Sequence, residues 1–165
     1  MDVNPKLVAL KLLLSSLGID DDISTVDDRK RVQKAVYLGQ VAGADLGYRF
    51  SWYLMGPYST TLTDDYYCMD AKKTDVEQLA QGKGLHPSYA AVLEQIRPIL
   101  QKPLAFPLAD EKWLELLASY HYLRKVSQLD HDGAVQTLRL KKPDLADYAV
   151  EARAAIQGTL LAVAN

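Results

Sequence analysis

The chain has 165 residues, a length that suits one domain with a sizeable hydrophobic core. Hydrophobic residues make up 48%, charged residues make up 24%, and the net charge is −2, which is ordinary for a globular protein. This balance argues against a protein built mainly to coat phosphate backbones. The single cysteine, Cys68, excludes an intramolecular disulfide and any CxxC motif, and it favours a reduced, cytoplasmic location.

The N-terminal segment is predicted to be a helix rather than a signal peptide. Asp2, Lys6 and Lys11 interrupt its apolar residues, and Gly18 stands where a helix would end. No apolar run in the chain approaches the ~18 residues that a bilayer requires, so no membrane partner is expected. The predicted buried face follows the i, i+3, i+4, i+7 pattern at Leu10, Leu13, Leu14 and Leu17.

A second helix is predicted to begin after Ser24 and Thr25, which are good capping residues, and to run to about Val41. Its first half is basic. This face could contact phosphates or an acidic partner, or it could be a solvated surface paired with nearby carboxylates, and the sequence leaves both readings open. The basic residues are Arg29, Lys30, Arg31 and Lys34.

Residues 48–59, called the aromatic corner below, form the most unusual stretch of the chain. The segment from Tyr48 to Leu54 is predicted to be a strand or extended arm, and Gly56-Pro57 is predicted to turn the chain. Ser59 can then cap a third helix. The stretch holds five aromatic residues, which either fill a core or form a binding surface.

The remainder reads as helices joined by short loops. Together these elements predict a mainly α, compact multi-helix domain over residues 1–165, with one or two short strands. The Ala-rich last helix could pair with a copy of itself, so a homo-oligomer is left open. The predicted helices cover Thr74–Ala80, a segment opening at Pro87, Asp110–Val126, Gly133–Leu140 and Asp144 to about Val163.

No catalytic or metal-binding arrangement is visible in the residue spacing. The three histidines, His86, His121 and His131, are far apart and are expected at the surface or at helix ends. Asp64 and Asp65 are adjacent on a helix and therefore point about 100° apart, which suits a pair of catalytic carboxylates poorly. There is no nucleotide-binding glycine loop and no nucleophile elbow. We therefore expect a non-enzymatic protein with no cofactor, no metal and no catalytic residues.

A family resemblance rests on two motifs. The first is RVQKAVYL at residues 31–38, and the second is the aromatic corner followed by Leu62 and Asp65. Together with Trp113 and the Lys142-Pro143 pair, they resemble the YwgA-like group of bacterial and archaeal proteins. More distantly, the chain is similar to the phage-associated SocA-like, or Panacea, domains, although Tyr58 and Ser59 depart from their pattern.

The resemblance implies a compact helical fold and leaves open a winged-helix-like N-terminal half. For the Panacea-type proteins it implies antitoxins, or toxin-neutralising partners in phage-associated and defence systems. The YwgA-like group carries no agreed activity. The partner implied for this chain is therefore another protein, a toxin or effector.

Two functional hypotheses follow. The first is a protein-binding module, because Tyr and Trp dominate binding hot spots. The second is a winged-helix DNA-binding protein, whose recognition helix would be Thr60–Asp70; three Asp and no Lys or Arg on that helix disfavour it. A small hydrolase with a site assembled from distant residues is a weaker third possibility. The predicted partner-binding residues are Arg31, Lys34, Tyr48, Arg49, Trp52, Tyr53, Tyr58 and Ser59.

Overall fold

The fold is mainly α with one two-stranded antiparallel sheet, as the sequence predicts, and the computed structural model describes residues 2–54 and 56–164. Within these residues, no helix combines the length and apolar character needed to cross a lipid bilayer. The N-terminal half contains α1 (Pro5–Leu17), α2 (Val26–Ala42), β1 (Ser51–Tyr53), β2 (Gly56–Tyr58), α3 (Thr60–Ala71) and α4 (Lys73–Ala80). The C-terminal half contains α5 (Pro87–Ile96), a 3₁₀ helix (Arg97–Leu100), α6 (Asp110–Lys125), α7 (His131–Lys141), α8 (Pro143–Ala146) and α9 (Ala149–Ile156).

Side-chain caps fix the beginnings of several helices. Thr25 and Asp28 form a reciprocal capping box at the start of α2, and Ser59 accepts a hydrogen bond from the Leu62 amide at the start of α3. Asn4 and Asp130 cap α1 and α7 in the same way. The sequence predicts the caps at Thr25 and Ser59, and both are confirmed.

The core is built around α6. Its residues from Trp113 to Tyr120 are buried without interruption, so this helix is covered on every side rather than along one stripe. It packs against α2, α7, α9 and the β2 strand. The indole N–H of Trp113 donates to the Ile99 carbonyl at 3.0 Å, which satisfies its polar atom inside the core. One cluster of buried side chains extends from Leu7 to Leu161.

Two sequence predictions of local structure are wrong. Gly56 and Pro57 do not follow the strand as a corner, because they are the first residues of β2, and Tyr53 pairs with Gly56 and Trp52 with Pro57. The aromatic corner is therefore a hairpin.

The single helix predicted from Asp144 to about Val163 is two short helices, α8 and α9. The break lies at Asp147 and Tyr148, and the Tyr148 ring packs edge-on against Phe106 with 5.2 Å between ring centroids. The Tyr148 backbone is non-helical at φ −106° and ψ 11°. Beyond the end of α9, Leu161 is buried and Leu160 is exposed.

Gly56 provides a test of how the hairpin is seated on α6. Its φ is +95°, and a Cβ built there would lie 2.5 Å from Ser119 Oγ; Gly47 has a similar φ of +88° with nothing within 4 Å. Gly56→Ala should therefore lower the free energy of unfolding by about 3 kcal/mol, through backbone strain and overpacking. Gly47→Ala should cost only the strain, about 1 kcal/mol. Urea denaturation measures both values.

Removing the Ser119 hydroxyl separates the two contributions. Adding Ser119→Ala to Gly56→Ala should restore about 1–2 kcal/mol, because the clash disappears and the strain remains. Equal losses for Gly56→Ala and Gly47→Ala, with no recovery in the double variant, would show that the hairpin does not sit on Ser119.

Candidate functional site

The structure divides the eight predicted partner-binding residues by exposure. Arg49 and Tyr53 are exposed, and Arg31, Trp52 and Tyr58 are half-buried. The other three, Lys34, Tyr48 and Ser59, are almost fully buried. The five exposed and half-buried residues are accessible from solvent, whereas the three buried residues can only support the surface from inside.

Tyr48 joins α2 to α3 from inside. Its hydroxyl donates to Asp65 Oδ2 at 2.7 Å, and its amide donates to Gln40 Oε1 at 3.0 Å. Lys6 Nζ lies 4.0 Å from the centre of its ring. Burial raises the pKa of the Tyr48 hydroxyl, and the Asp65 carboxylate raises it further. Tyr48 therefore stays neutral and holds Asp65 on the inner side of α3.

Gln33 holds the end of the hairpin on α2. Its side-chain oxygen accepts from the Ser59 amide at 2.9 Å, and its nitrogen donates to the Ser59 carbonyl at 2.9 Å. It also donates to Thr63 Oγ1 at 3.1 Å. One buried amide thus positions both the last residue before α3 and the first turn of that helix.

The hairpin carries aromatic rings on both faces, as strand alternation requires. On one face, Trp52 packs against Tyr122 of α6 with 5.6 Å between ring centroids. On the other face, Tyr53 and Tyr58 contact each other with 5.5 Å between centroids. The aromatic corner is therefore both core and surface, which answers the alternative that the sequence leaves open.

The inner face continues to a buried histidine. Tyr37 packs edge-on against Phe50 at 5.3 Å, and its hydroxyl lies 2.8 Å from His121 Nδ1. Burial lowers the pKa of His121 to about 4, with a smaller contribution from Lys125, so the ring is neutral at physiological pH. The expectation that this histidine lies at the surface is wrong. His86 caps α5 and His131 begins α7, as expected for helix-terminal residues.

A pocket of about 450 Å³ opens between α2, the hairpin and α3; it is called the tyrosine pocket below. Four tyrosines and three basic side chains line it, together with Gln33, Thr63 and Val26. The tyrosines are Tyr53, Tyr58, Tyr66 and Tyr67, and the basic residues are Arg29, Lys30 and Lys34.

Beneath the pocket lies a buried group of charges, called the lysine–glutamate cluster. Glu115 of α6 accepts from Lys142 Nζ at 2.7 Å, and the Nζ atoms of Lys30 and Lys112 lie 3.4 Å from its two oxygens. Lys34 Nζ donates to the Pro57 carbonyl at 2.7 Å. Within the described residues Lys34 forms no ion pair. Three lysines thus pair with one carboxylate, and one of them, Lys112, also pairs with Asp144 at 3.2 Å.

Opposing effects set the pKa values in this cluster. Burial raises the pKa of the Glu115 carboxyl, but the hydrogen bond and charge of Lys142, with the charges of Lys30 and Lys112, bring it below its usual value. Burial lowers the pKa of Lys34 to about 7; the charge of Lys142 lowers it and that of Glu115 opposes the shift. Burial also lowers the pKa of Lys142. The cluster therefore holds more positive than negative charge at low dielectric.

The cluster positions the hairpin that forms one wall of the tyrosine pocket. Lys34 holds the Pro57 carbonyl, and Lys142 Nζ lies 3.5 Å from the Leu54 carbonyl. The buried Ser119 hydroxyl has no hydrogen-bond partner among the described residues. The hairpin is therefore held by Lys34 of α2 and by Lys142, which lies between α7 and α8.

Several of these residues are not singled out by the sequence analysis. It uses Lys142 only in the Lys142-Pro143 pair of the family resemblance, and it does not identify Glu115, Tyr66 or Tyr67 as site residues. One signal was available, since Glu115 is the only charged residue between Trp113 and Tyr120 in an otherwise apolar or small-residue run. A carboxylate in such a run requires a buried cation as its partner.

The half-buried Cys68 and the pair Asp64–Asp65 form no site. Cys68 packs against the core, and Asp64 is exposed, whereas Asp65 accepts from Tyr48. In residues 2–54 and 56–164, no group of three or more His, Cys, Asp or Glu side chains could hold a metal ion.

Comparisons with protein-family models, curated proteins and solved structures find no match to this chain.

Glu115 should be the most sensitive charged residue of the chain. Glu115→Gln leaves Lys142, Lys30 and Lys112 without their shared carboxylate, so the free energy of unfolding should fall by about 3–5 kcal/mol. Glu94→Gln, at an exposed position on α5, should change it by less than about 0.5 kcal/mol. Adding Lys142→Met to Glu115→Gln should recover part of the loss, because it removes a buried charge. Equal stability of Glu115→Gln and Glu94→Gln would contradict the described cluster.

Lys34 should make stability depend on pH in the alkaline range. Its pKa is about 7 in the folded chain, while an unfolded lysine has a pKa of ~10.4, so the unfolded state binds more protons between these values. The free energy of unfolding of the wild type, relative to that of Lys34→Met, should therefore rise by up to about 4 kcal/mol from pH 7 to about pH 10.

Urea denaturation across that pH range measures the difference. Lys83→Met, in an exposed loop, is the matched control and should run parallel to the wild type. Lys34→Met also loses the hydrogen bond to Pro57, so the informative quantity is the slope with pH rather than the absolute stability. A Lys34→Met curve parallel to that of the wild type would mean that the amine titrates as in water.

Proposed function

We propose that this protein is a non-enzymatic protein-binding module that receives a partner's side chains in the tyrosine pocket. The observation that carries the proposal is the exposure of large apolar side chains around its mouth. Val26 is 57% exposed, Tyr53 57%, Leu54 77% and Tyr67 49%. Three of these line the pocket, and Leu54 adjoins Tyr53 at the tip of the hairpin. Contiguous exposed apolar surface costs solubility and typically marks a binding site.

The geometry of the wall supports a binding role over a simple gap in packing. Tyrosine offers a large contact area with only two rotatable side-chain bonds, so it loses little entropy when a partner binds. Tyr53 and Tyr58 contact each other, as do Tyr66 and Tyr67, with 5.1 Å between the latter ring centroids. These ring contacts restrict the tyrosine side chains, which reduces the entropy that they would lose on binding.

The resemblance to the YwgA-like and Panacea groups suggests the class of partner. A cytoplasmic toxin or effector, with this chain as its antitoxin, is the partner that this resemblance implies. The tyrosine pocket would supply the central anchor of that interface, and the exposed Arg49 would extend it.

The DNA-binding alternative receives less support from the charges. The helix that would enter the groove, α3, presents Asp64 and Asp70 to solvent and contains no Lys or Arg. On α2, Arg31 pairs with Asp28 at 2.8 Å and Arg29 donates to the Ile23 carbonyl at 2.9 Å. Carboxylates facing phosphates repel a duplex, whereas a protein partner can avoid them.

The proposal predicts that Tyr53 and Tyr67 supply most of the affinity for the partner. The immobilised chain should retain one protein from a lysate of its own organism in stoichiometric amount. The double variant Tyr53→Ser with Tyr67→Ser should retain at least about tenfold less of this protein, because each truncated side chain costs on the order of 1–2 kcal/mol of binding free energy. Quantitative mass spectrometry of the eluates measures the change.

A matched control uses another exposed apolar residue. Leu104 is fully exposed and lies outside the pocket, so Leu104→Ser should retain the partner at the wild-type level. Circular dichroism should show that both variants keep the helical fold. Retention of the same proteins by the wild type and the double variant, or co-elution of nucleic acid alone, would contradict the proposed function.

A further inference from the structure

We infer that the segment entering the tyrosine pocket is acidic: a peptide segment of the partner protein that carries a large apolar side chain next to carboxylates. This inference rests on the proposed function and adds the chemistry of the partner. It is argued from the charges that line the pocket and from what lies behind them.

The wall of the pocket carries basic side chains and, within the part of the chain that the structure describes, no acidic ones, and Glu115 behind it pairs with Lys30. Arg29, Lys30 and Lys34 line it, and among the described residues no Asp or Glu does. The chain as a whole has a net charge of −2, so this local excess runs against the overall balance. A carboxylate placed here would meet cations without an acidic neighbour in the wall.

Glu115, the carboxylate behind the pocket wall, already pairs with three lysines. Glu115 is 2.7 Å from Lys142, and Lys30 lies at the longer distance of 3.4 Å. Lys112 takes the second oxygen at 3.4 Å. Glu115 therefore neutralises the Lys30 ammonium only in part. An anion bound on the pocket side would be a second charged hydrogen-bond partner for this ammonium.

Burial strengthens the electrostatic attraction of Lys30 and Lys34 for an anion. Lys30 is half-buried and Lys34 is almost fully buried, so the field of both is less screened than that of a surface lysine. Burial also disfavours the charged form of Lys34, as the lowering of its pKa to about 7 shows. An approaching carboxylate reverses this effect, since an opposite charge favours the ammonium.

The arrangement fits a peptide better than a nucleic acid. A single-stranded nucleic acid also combines aromatic stacking with cations, but its phosphates continue along the strand. Asp64 and Asp70 are exposed on α3 and would repel that continuous charge. A peptide can place its carboxylates at Arg29 and Lys30 and its apolar side chain between Tyr53 and Tyr67.

The test selects ligands without assuming a sequence. A phage-displayed library of random short peptides is selected on the full chain, and the enriched peptides are synthesised and measured by fluorescence anisotropy. Asp or Glu adjacent to an aromatic or branched apolar residue is the expected pattern. Binding should weaken at least about tenfold in Tyr67→Ser.

Val26 allows the pocket's charge to be changed without disturbing buried contacts, because it is exposed at the mouth. Val26→Lys should tighten the binding of the enriched peptides and Val26→Glu should weaken it. The two affinities should differ about fivefold at about 0.05 M salt and nearly converge at about 0.5 M. Val126→Lys and Val126→Glu, at an exposed position outside the pocket, should not differ.

The outcomes separate this inference from the proposed function. Peptides that depend on Tyr67 but are neutral or basic, and ignore the charge at residue 26, would overturn the inference and leave the protein-binding function standing. Binding of an oligothymidylate, rather than acidic peptides, at the same residues would overturn it in favour of nucleic acid. If no enriched peptide depends on Tyr67, both the inference and the proposed function fall.

Discussion

The contact between Glu115 and the lysines around it constrains the structure more than any other interaction. It brings together α2, α6 and the residue before α8, which are far apart in sequence. Buried ion pairs of this kind contribute little net stability over well-packed apolar residues, because desolvation offsets the attraction. Their effect is on geometry, since a misplaced lysine would leave a bare charge in the core. Lys142 must therefore lie where Glu115 can accept from it.

That constraint reaches the hairpin, and through it the pocket. Lys34 and Lys142 both contact hairpin carbonyls, while Gln33 binds the amide and the carbonyl of Ser59. A two-stranded sheet of three residues per strand is not stable alone, so these contacts are needed to hold it. Lys142 thus pairs with Glu115 and also contacts the hairpin, and together with Lys34 and Gln33 it places Tyr53 and Tyr58 opposite α3.

Local signals in the sequence predict much of the fold but little of this site. The caps at Thr25 and Ser59 and the helix predicted at Asp110–Val126 depend on nearby residues, and the structure confirms them. Lys142 could not be recognised, because its role depends on a carboxylate 27 positions away. Spacing along one helix cannot reveal a partner on another. Local residue patterns also do not predict the pairing of the two short strands or the division of the last helix into α8 and α9.

The basic residues of the tyrosine pocket and the exposed apolar side chains around it both support the proposed binding role. A purely structural cluster would gain by balancing its lysines with further carboxylates, and a purely structural surface would gain by replacing Leu54 and Tyr67 with polar residues. In this chain Lys112 also pairs with Asp144 at 3.2 Å, but among the described residues no Asp or Glu lines the tyrosine pocket, and Leu54 and Tyr67 stay exposed. Partly neutralised cations and exposed apolar side chains are both costly in the isolated chain, and the proposed acidic, apolar segment would relieve both costs. The proposed binding role would therefore account for two features of the pocket that do not add to stability.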